Sequence, residues 1–348
     1  MILNVDDAPY SYKHGSYGGA SGTKDGLIIN GADWLVKYPK NAEYLNRHEE
    51  MSYTMDPVSE YLGSHVYEIL GIPVHETMLV ERRGKIAVAC KDFENILEGE
   101  KLLEFRTLKN AANNDMTEEL ERRFSSTGSN RIANFEETLL HLKYNGTINT
   151  IEGIKERFFD MIVIDAFINN GDRNNGNWGI LRTRNGDSLA PVYDNGGSFN
   201  GKTPDSRLKR MLENESVMKE SVLSGVSAFG DEHNFFAKDL LAKDIDDLQI
   251  SLVKLTPLID AHMQDFYELI DSVDDIACSP VRKDFYKQSL AARLDCILSP
   301  AYERAVESLL NKGYELLQTP ETSQLIPSDI DISDNFLDQE GIDPADDD

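Results

Sequence analysis

The amino-acid sequence predicts an α+β fold in two lobes, the first strand-rich with a single helix, the second mostly helical. Three features carry that expectation. Short apolar runs punctuated by glycine dominate from Gly15 to Cys90, one stretch among them has helical spacing, and beyond about Asn95 the apolar residues recur in long helical patterns. With 348 residues, 40% hydrophobic and 28% charged, the chain has material for a sizeable core in one large domain or two lobes.

The first lobe, 1–95, reads as hairpins. Leu27-Ile28-Ile29 and Trp34-Leu35-Val36-Lys37-Tyr38 flank Asn30-Gly31, and Met78-Leu79-Val80 and Ile86-Ala87-Val88-Ala89 flank Arg83-Gly84. Both dipeptides suit turns that demand positive φ. Between the hairpins, Val58, Tyr61, Leu62, His65, Val66, Ile69 and Leu70 share one helical face, with Gly71 as the stop and Pro73 beyond it. The second lobe, 96–326, carries helical patterns at Ile151 to Asn169, Leu248 to Val273 and Arg282 to Asn311. A polar stretch from Arg173 to Phe199 interrupts them and contains a small hairpin, Trp178 to Leu181 and Ala190 to Tyr193. Loops held by a rigid scaffold are where chemistry concentrates. The last segment, 327–348, has nine acids and no base, which predicts a solvated, largely disordered tail; a docking or autoinhibitory tail that mimics phosphate is the alternative.

Charge and cysteine content exclude several functions. Against 35 Lys plus Arg stand 61 Asp plus Glu, a formal charge of −26, and such a surface repels nucleic-acid backbones and anionic membranes. A phosphate-bearing ligand would need local cations or a metal ion. Cys90, Cys278 and Cys296 form no Cys-x-x-Cys pair and are odd in number, which argues against a disulfide framework or zinc module and for a reducing compartment. The start lacks a basic region followed by an apolar run, and no stretch reaches about 18 apolar residues, so a cytoplasmic protein is expected. The seven histidines show no ligand spacing and no Gly-x-Ser-x-Gly elbow occurs; Trp34 and Trp178 read as packing residues.

The strongest motif is Asn169-Asn170-Gly171-Asp172-Arg173-Asn174-Asn175-Gly176-Asn177-Trp178-Gly179, followed by Pro191-Val192-Tyr193-Asp194-Asn195-Gly196-Gly197-Ser198. Asp172 and Asn177 stand at the spacing of base and metal-binding amide in phosphoryl-transfer catalytic loops. A carboxylate must reach the attacking hydroxyl while a neutral oxygen ligand helps hold a hard cation on the triphosphate. Asp194, after the apolar run 190–193, is placed as the second metal carboxylate in an Asp-x-Gly element. Singly, each motif is as consistent with turn initiation. Together they point to catalysis.

The first lobe offers what a nucleotide site would still need. The segment Gly15 to Lys24 is dense in glycine and small hydroxyls, so that Gly18, Gly19, Ser21, Gly22 and Thr23 are candidate phosphate contacts, although the order is not that of a Walker A loop. Lys37, a cation within an apolar strand, suits the α- and β-phosphates, or else faces solvent on an alternating strand. Glu60 on the helix is the candidate to hold it by an ion pair, with Glu49, Glu50 and Glu68 as rivals. At the junction of the lobes, backbone contacts to adenine are expected near Lys91 and an aromatic face from Phe93, which reads equally as a core residue closing a strand.

On these motifs, from about Gly15 to Phe199, the sequence resembles the HipA-like serine/threonine kinases, and within them the stand-alone CtkA-like members. The Asp-Arg-x-x-x-Asn element with a following Asp-x-Gly is also similar to that of phosphatidylinositol kinases. The resemblance implies a bilobal protein-kinase-like fold and ATP with Mg²⁺. It implies Asp172 as catalytic base, Asn177 and Asp194 as metal ligands and Lys37 on the phosphates, with Asn174 where many relatives carry a nucleotide-contacting histidine. It further implies a protein substrate with a serine or threonine acceptor, an antitoxin-like partner, and autophosphorylation in the glycine-rich loop. Ser16, Ser21 and Thr23 are the acceptors available there, Ser21 slightly preferred. A phosphate on that loop would repel those of ATP. The rival readings are a lipid or small-molecule kinase and a pseudokinase binding module; the full set Lys37, Asp172, Asn177 and Asp194 speaks against the latter.

Overall fold

Positive backbone angles at Asn30 (φ 51°) and Gly31 (φ 79°), and at Arg83 (φ 54°) and Gly84 (φ 67°), close the two hairpins foreseen at these dipeptides. The computed structural model describes residues 2–15, 23–45, 50–95, 98–112, 133–318 and 323–327. The hairpins are β2 (Lys24–Ile29) with β3 (Ala32–Lys37), and β4 (Thr77–Arg82) with β5 (Lys85–Lys91). A short strand β1 (Leu3–Asn4), not anticipated, adds in parallel to β4 and gives a five-stranded sheet of order β1-β4-β5-β3-β2. Val36 faces a small core with Leu27, Val80, Ala87 and Ala89, so the alternation of β3 leaves Leu35 and Lys37 on its opposite face. Helix α1 (Asp56–Ile69) lies between the hairpins in sequence, begun by Pro57 and ended before Gly71, whose φ is 72°.

After β5 the chain forms β6 (Lys101–Glu104) and α2 (Phe105–Ala112), then β7 (Ala133–Asn134) and α3 (Phe135–Tyr144). Helix α4 (Ile154–Ile168) is buried over most of its surface and forms the central post of the larger core. It stops at Asn169, whose left-handed φ of 57° turns the chain into the polar segment. There β8 (Gly179–Thr183) pairs with β9 (Gly186–Leu189) and, across the sequence, with β6. The expected second arm at 190–193 is therefore one run too late. Residues 190–193 are not a strand; Val192 makes a single bridge to Val74, and Pro191 has no N–H to extend a ladder.

Helices α5 (Asp205–Leu212) and α6 (Glu215–Leu223), strands β10 (Val226–Gly230) and β11 (Asn234–Phe236), and the one-turn α7 (Ala237–Leu240) follow. The long pattern expected from Leu248 to Val273 is two helices, α8 (Asp246–Ala261) and α9 (Met263–Ser272). Pro257 removes a donor inside α8, and the break falls at His262, whose ring contacts Asp265 at 2.6 Å in the first turn of α9. Helix α10 (Pro280–Arg293) passes through a π turn, Leu294–Leu298, into α11 (Ser299–Asn311). Pro300 lacks the N–H an α-helix would use there, and the wider turn absorbs the misfit. A last hairpin, β12 (Tyr314–Gln318) with β13 (Ser323–Pro327), ends the described chain; the acidic tail lies outside the described residues. No helix among the described residues is long and apolar enough to cross a membrane.

Candidate active site

Lys37 projects from β3 beneath the sheet, and two carboxylates meet its ammonium: Asp194 Oδ1 at 2.9 Å and Glu60 Oε2 at 3.2 Å. Burial works to lower the Lys37 pKa, but the charges of Asp194 and Glu60 prevail and hold it well above the ordinary lysine range. Burial likewise works to raise Glu60, yet Lys37 and then His75 hold it ionised, far below the usual carboxylate range. Of its rivals, Glu68 contacts His65, Glu50 accepts from Ser206, and Glu49 lies outside the described residues.

The Asp194 turn is stitched to α1. Ser59 Oγ donates to Ser198 O at 2.9 Å and Ser198 Oγ to Ser59 O at 3.1 Å. Close approach requires glycine on the helix side, because a Cβ on Gly63 would stand 2.8 Å from that of Asn195. Asp194 itself takes a left-handed φ of 60°, a conformation few residues other than glycine, Asn and Asp adopt.

A buried guanidinium organises the loop that carries Asp172. Arg173 Nε donates to Asp165 Oδ2 at 2.9 Å and one terminal nitrogen to Asp165 Oδ1 at 3.1 Å. The same group reaches Asn177 O at 2.9 Å, Tyr193 O at 2.5 Å and Asn195 Oδ1 at 2.5 Å. It thereby ties the Asp172–Asn177 loop to the segment that presents Asp194. Burial would lower the Arg173 pKa, but Asp165 overrides it and the group stays fully cationic. Asp165 also accepts from Tyr67 Oη at 2.9 Å and Asn170 Nδ2 at 3.0 Å. Arg173 stood in the sequence motif without a role. The signal for its partner was a lone carboxylate inside the apolar run Met161 to Ile168.

Asp172 is exposed, and its carboxylate accepts from Asn174 Nδ2 at 3.1 Å. Asn177 Nδ2 donates to Asp172 O at 2.6 Å, so its Oδ1 is the side-chain atom that could ligate a cation. Lys37, Lys24 and Asp194 separate two adjoining cavities of about 470 and 450 Å³. Lys91, Phe93, Asn174 and Asn177 line the first; Thr23, Glu60 and Asp172 line the second. Gly18, Gly19, Ser21, Gly22 and Ser16 lie outside the described residues. Lys91 lines the first cavity, with its backbone N–H donating to Glu76 O and its exposed ammonium 2.6 Å from Glu76 Oε2. Phe93 is half-buried, with its ring centroid 5.9 Å from that of Tyr193, and walls the cleft instead of filling the core. Lys24, opposite Lys37 in the β2–β3 register, is a second cation that sequence reasoning passed over.

The oxygen donors Asp194 and Asn177 suit a hard cation, and Lys37 and Lys24 suit the phosphates such a cation would accompany. Cysteine or histidine donors at that position would not.

No protein-family model matches the chain. It is 30% identical over 297 residues to the serine/threonine-protein kinase CtkA of Helicobacter pylori, spanning 84% of this chain and 85% of that one. The crystal structure of the Helicobacter pylori proinflammatory kinase CtkA superposes with a TM-score of 0.74 at 27% identity, over 88% of this chain and 99% of the other. A chain of the Shewanella oneidensis toxin–antitoxin complex of HipA, HipB and operator DNA shares the fold, with a TM-score of 0.51 at 15% identity over 82% of this chain and 67% of its own. Its kinase-like fold and its identity to CtkA along nearly the whole of both chains place this protein among the HipA-like serine/threonine-protein kinases of the CtkA type.

Proposed function

We propose that the chain transfers the γ-phosphoryl group of ATP, in the presence of Mg²⁺, to a serine or threonine hydroxyl of a protein substrate. The observation that carries the reading is the meeting of Asp172, Asn177 and Asp194 with the Lys37–Glu60 pair where two cavities adjoin. Asp194 and Asn177 would hold the cation, and Lys37 the phosphates; bound there, Mg²⁺ would neutralise charge on the transferring group. Asp172, steadied by Asn174, accepts the proton of the attacking hydroxyl, and its exposure leaves room for that hydroxyl to approach. Asn174 therefore acts through Asp172. Glu60 keeps Lys37 charged and aimed.

The same site would modify its own glycine-rich loop at Ser16, Ser21 or Thr23, of which Thr23 already borders the second cavity. The lobes would divide near residue 95, and a cytoplasmic location fits three free cysteines. A partner of the antitoxin kind remains part of the proposal; the Shewanella assembly pairs HipA with HipB, and at 15% identity it bears on fold alone.

Phosphate incorporation from γ-labelled ATP tests the assignment. Asp172→Asn is expected to lose at least about 10²-fold in rate, the usual share of a general base, with ATP still bound. Asp194→Asn should also weaken Mg-ATP binding. Wild-type turnover in both variants would overturn it. Mass spectrometry of the labelled wild type locates any modified hydroxyl, and label confined to residues outside 16–23 would remove the loop from the scheme.

A further inference from the structure

Three donors of different chemistry converge at the inner wall of the cleft. Glu60 comes from α1, His75 from the irregular segment before β4, and Cys90 from β5; one ligand atom of each lies within 4.8 Å of the other two, and all three residues are buried. His75 Nε2 is 3.0 Å from Glu60 Oε1 and 3.2 Å from Ser64 Oγ, while the other Glu60 oxygen faces Lys37. His75 and Cys90 line the 470 Å³ cavity, so the cluster is reached through the cleft. Phosphoryl transfer uses Glu60 through Lys37 and His75 only as a partner that keeps Glu60 ionised, and gives no task to Cys90.

We propose that Glu60, His75 and Cys90 form a binding site for a borderline transition-metal cation, with Zn²⁺ as its natural occupant. A carboxylate, an imidazole and a thiolate are a donor set that Zn²⁺ selects and Mg²⁺, which demands hard oxygens, does not. Tetrahedral zinc with bonds of about 2.0–2.3 Å places its donors roughly 3.3–3.8 Å apart, a modest contraction of this cluster. As the metal binds, the Cys90 S–H bond breaks, its proton leaves to solvent, and sulfur bonds the cation. The proton that His75 Nε2 holds toward Glu60 leaves to solvent or moves to Nδ1, and the freed lone pair bonds the cation in place of the contacts to Ser64 and Glu60. Carboxylate and thiolate together balance the charge of the cation. The fourth position faces the cleft, as in zinc sites with three protein ligands.

The metal and Lys37 compete for Glu60. An occupied site therefore draws the carboxylate away from the lysine, and on the nucleotide role proposed for Lys37 it opposes Mg-ATP binding. The spacing of 60, 75 and 90 matches no metal motif, so only the fold brings the three together.

Cobalt(II) titration of the full-length chain without nucleotide tests the site itself. The expected result is one equivalent of Co²⁺ with a thiolate-to-cobalt charge-transfer band, bleached by Zn²⁺, lost in Cys90→Ser and kept in Cys278→Ser and Cys296→Ser. His75→Gln should weaken binding at least tenfold while keeping a band. Absence of the band in the wild type, or its survival in folded Cys90→Ser, overturns the site whatever the variants do to stability. A second arm measures the affinity for Mg-ATP: Zn²⁺ should weaken it at least tenfold in the wild type and not in His75→Gln. A cobalt band with unchanged nucleotide affinity would overturn the competition for Glu60. A chain that shows the band but binds no ATP would refute the kinase reading and leave the metal site standing.

Discussion

Asp165→Asn removes one charge from the network beneath the Asp172–Asn177 loop and preserves its shape. Arg173 is 1% exposed and Asp165 6%, so neither can turn to water for compensation. Removing one partner of a buried ion pair costs about 3–5 kcal/mol, because the other charge is left uncompensated. Arg173 would keep three neutral acceptors, Asn177 O, Tyr193 O and Asn195 Oδ1, which puts the cost near the lower figure, about 3 kcal/mol. Against a total stability of roughly 5–15 kcal/mol that is a large fraction. Urea unfolding measures it: with a slope of about 3 kcal/mol/M the midpoint should fall by about 1 M at unchanged slope. Arg173→Met should fall further, since it also strips donors from the three acceptors. A midpoint shift under about 0.3 M for Asp165→Asn, at unchanged slope, would refute the claim that this carboxylate compensates the buried guanidinium.

Gly197→Ala places a Cβ 2.7 Å from both Asn170 Oδ1 and Asp172 Cβ, so the loop must shift. Displacements of about 1 Å at a catalytic group cost on the order of 10²-fold, and steady-state kinetics should show that loss in kcat with little change in KM for ATP. His141 is buried against Phe105, and burial, with Lys109 adding to it, pushes its pKa down to about 4. Below pH 6.5 the unfolded chain takes up a proton that the folded imidazole refuses, so this group subtracts stability as pH falls from 6.5 toward 4. The full effect is at most about 3 kcal/mol. Tm measured across that window should fall less steeply in His141→Gln than in the wild type; parallel curves would contradict the assignment.

What the sequence disclosed depended on how local the cause was. Asn30-Gly31 and Arg83-Gly84 declare their hairpins because left-handed φ is a property of the residues themselves. Asp172, Asn177 and Asp194 stood out as candidates because the proposed chemistry fixes their spacing along one short stretch. Glu60 could be separated from Glu50 and Glu68 only in three dimensions, where it alone of the three meets Lys37. The same holds for the contacts of Arg173 at 193 and 195, on the segment that presents Asp194, and for β6, which pairs with β8 across more than seventy residues. Helical periodicity ran through His262 unbroken because apolar spacing does not register a change of axis; Pro257 was the available cue.

The π turn between α10 and α11 has a further consequence, one of angular phase. An α-helix advances about 100° per residue, so in an unbroken helix Ala301 would sit about 80° around the axis from Arg293, and Leu309 about 160°. The turn behaves as a one-residue insertion that winds the chain back by one step. Ala301, Ala305 and Leu309 then fall within about 60° of Arg293, close to the line of Tyr286 and Leu290. One buried stripe thus runs the length of both helices, and Arg293 can reach Ala166 O at the end of α4 while α11 keeps its buried face against α8. Deleting a single residue between 294 and 298 would leave seven steps from Arg293 to Ala301, about −20°, so a regular α-helix would then hold the stripe in phase without the turn, whereas forcing the undeleted segment into regular α-helix would turn half of the stripe toward water.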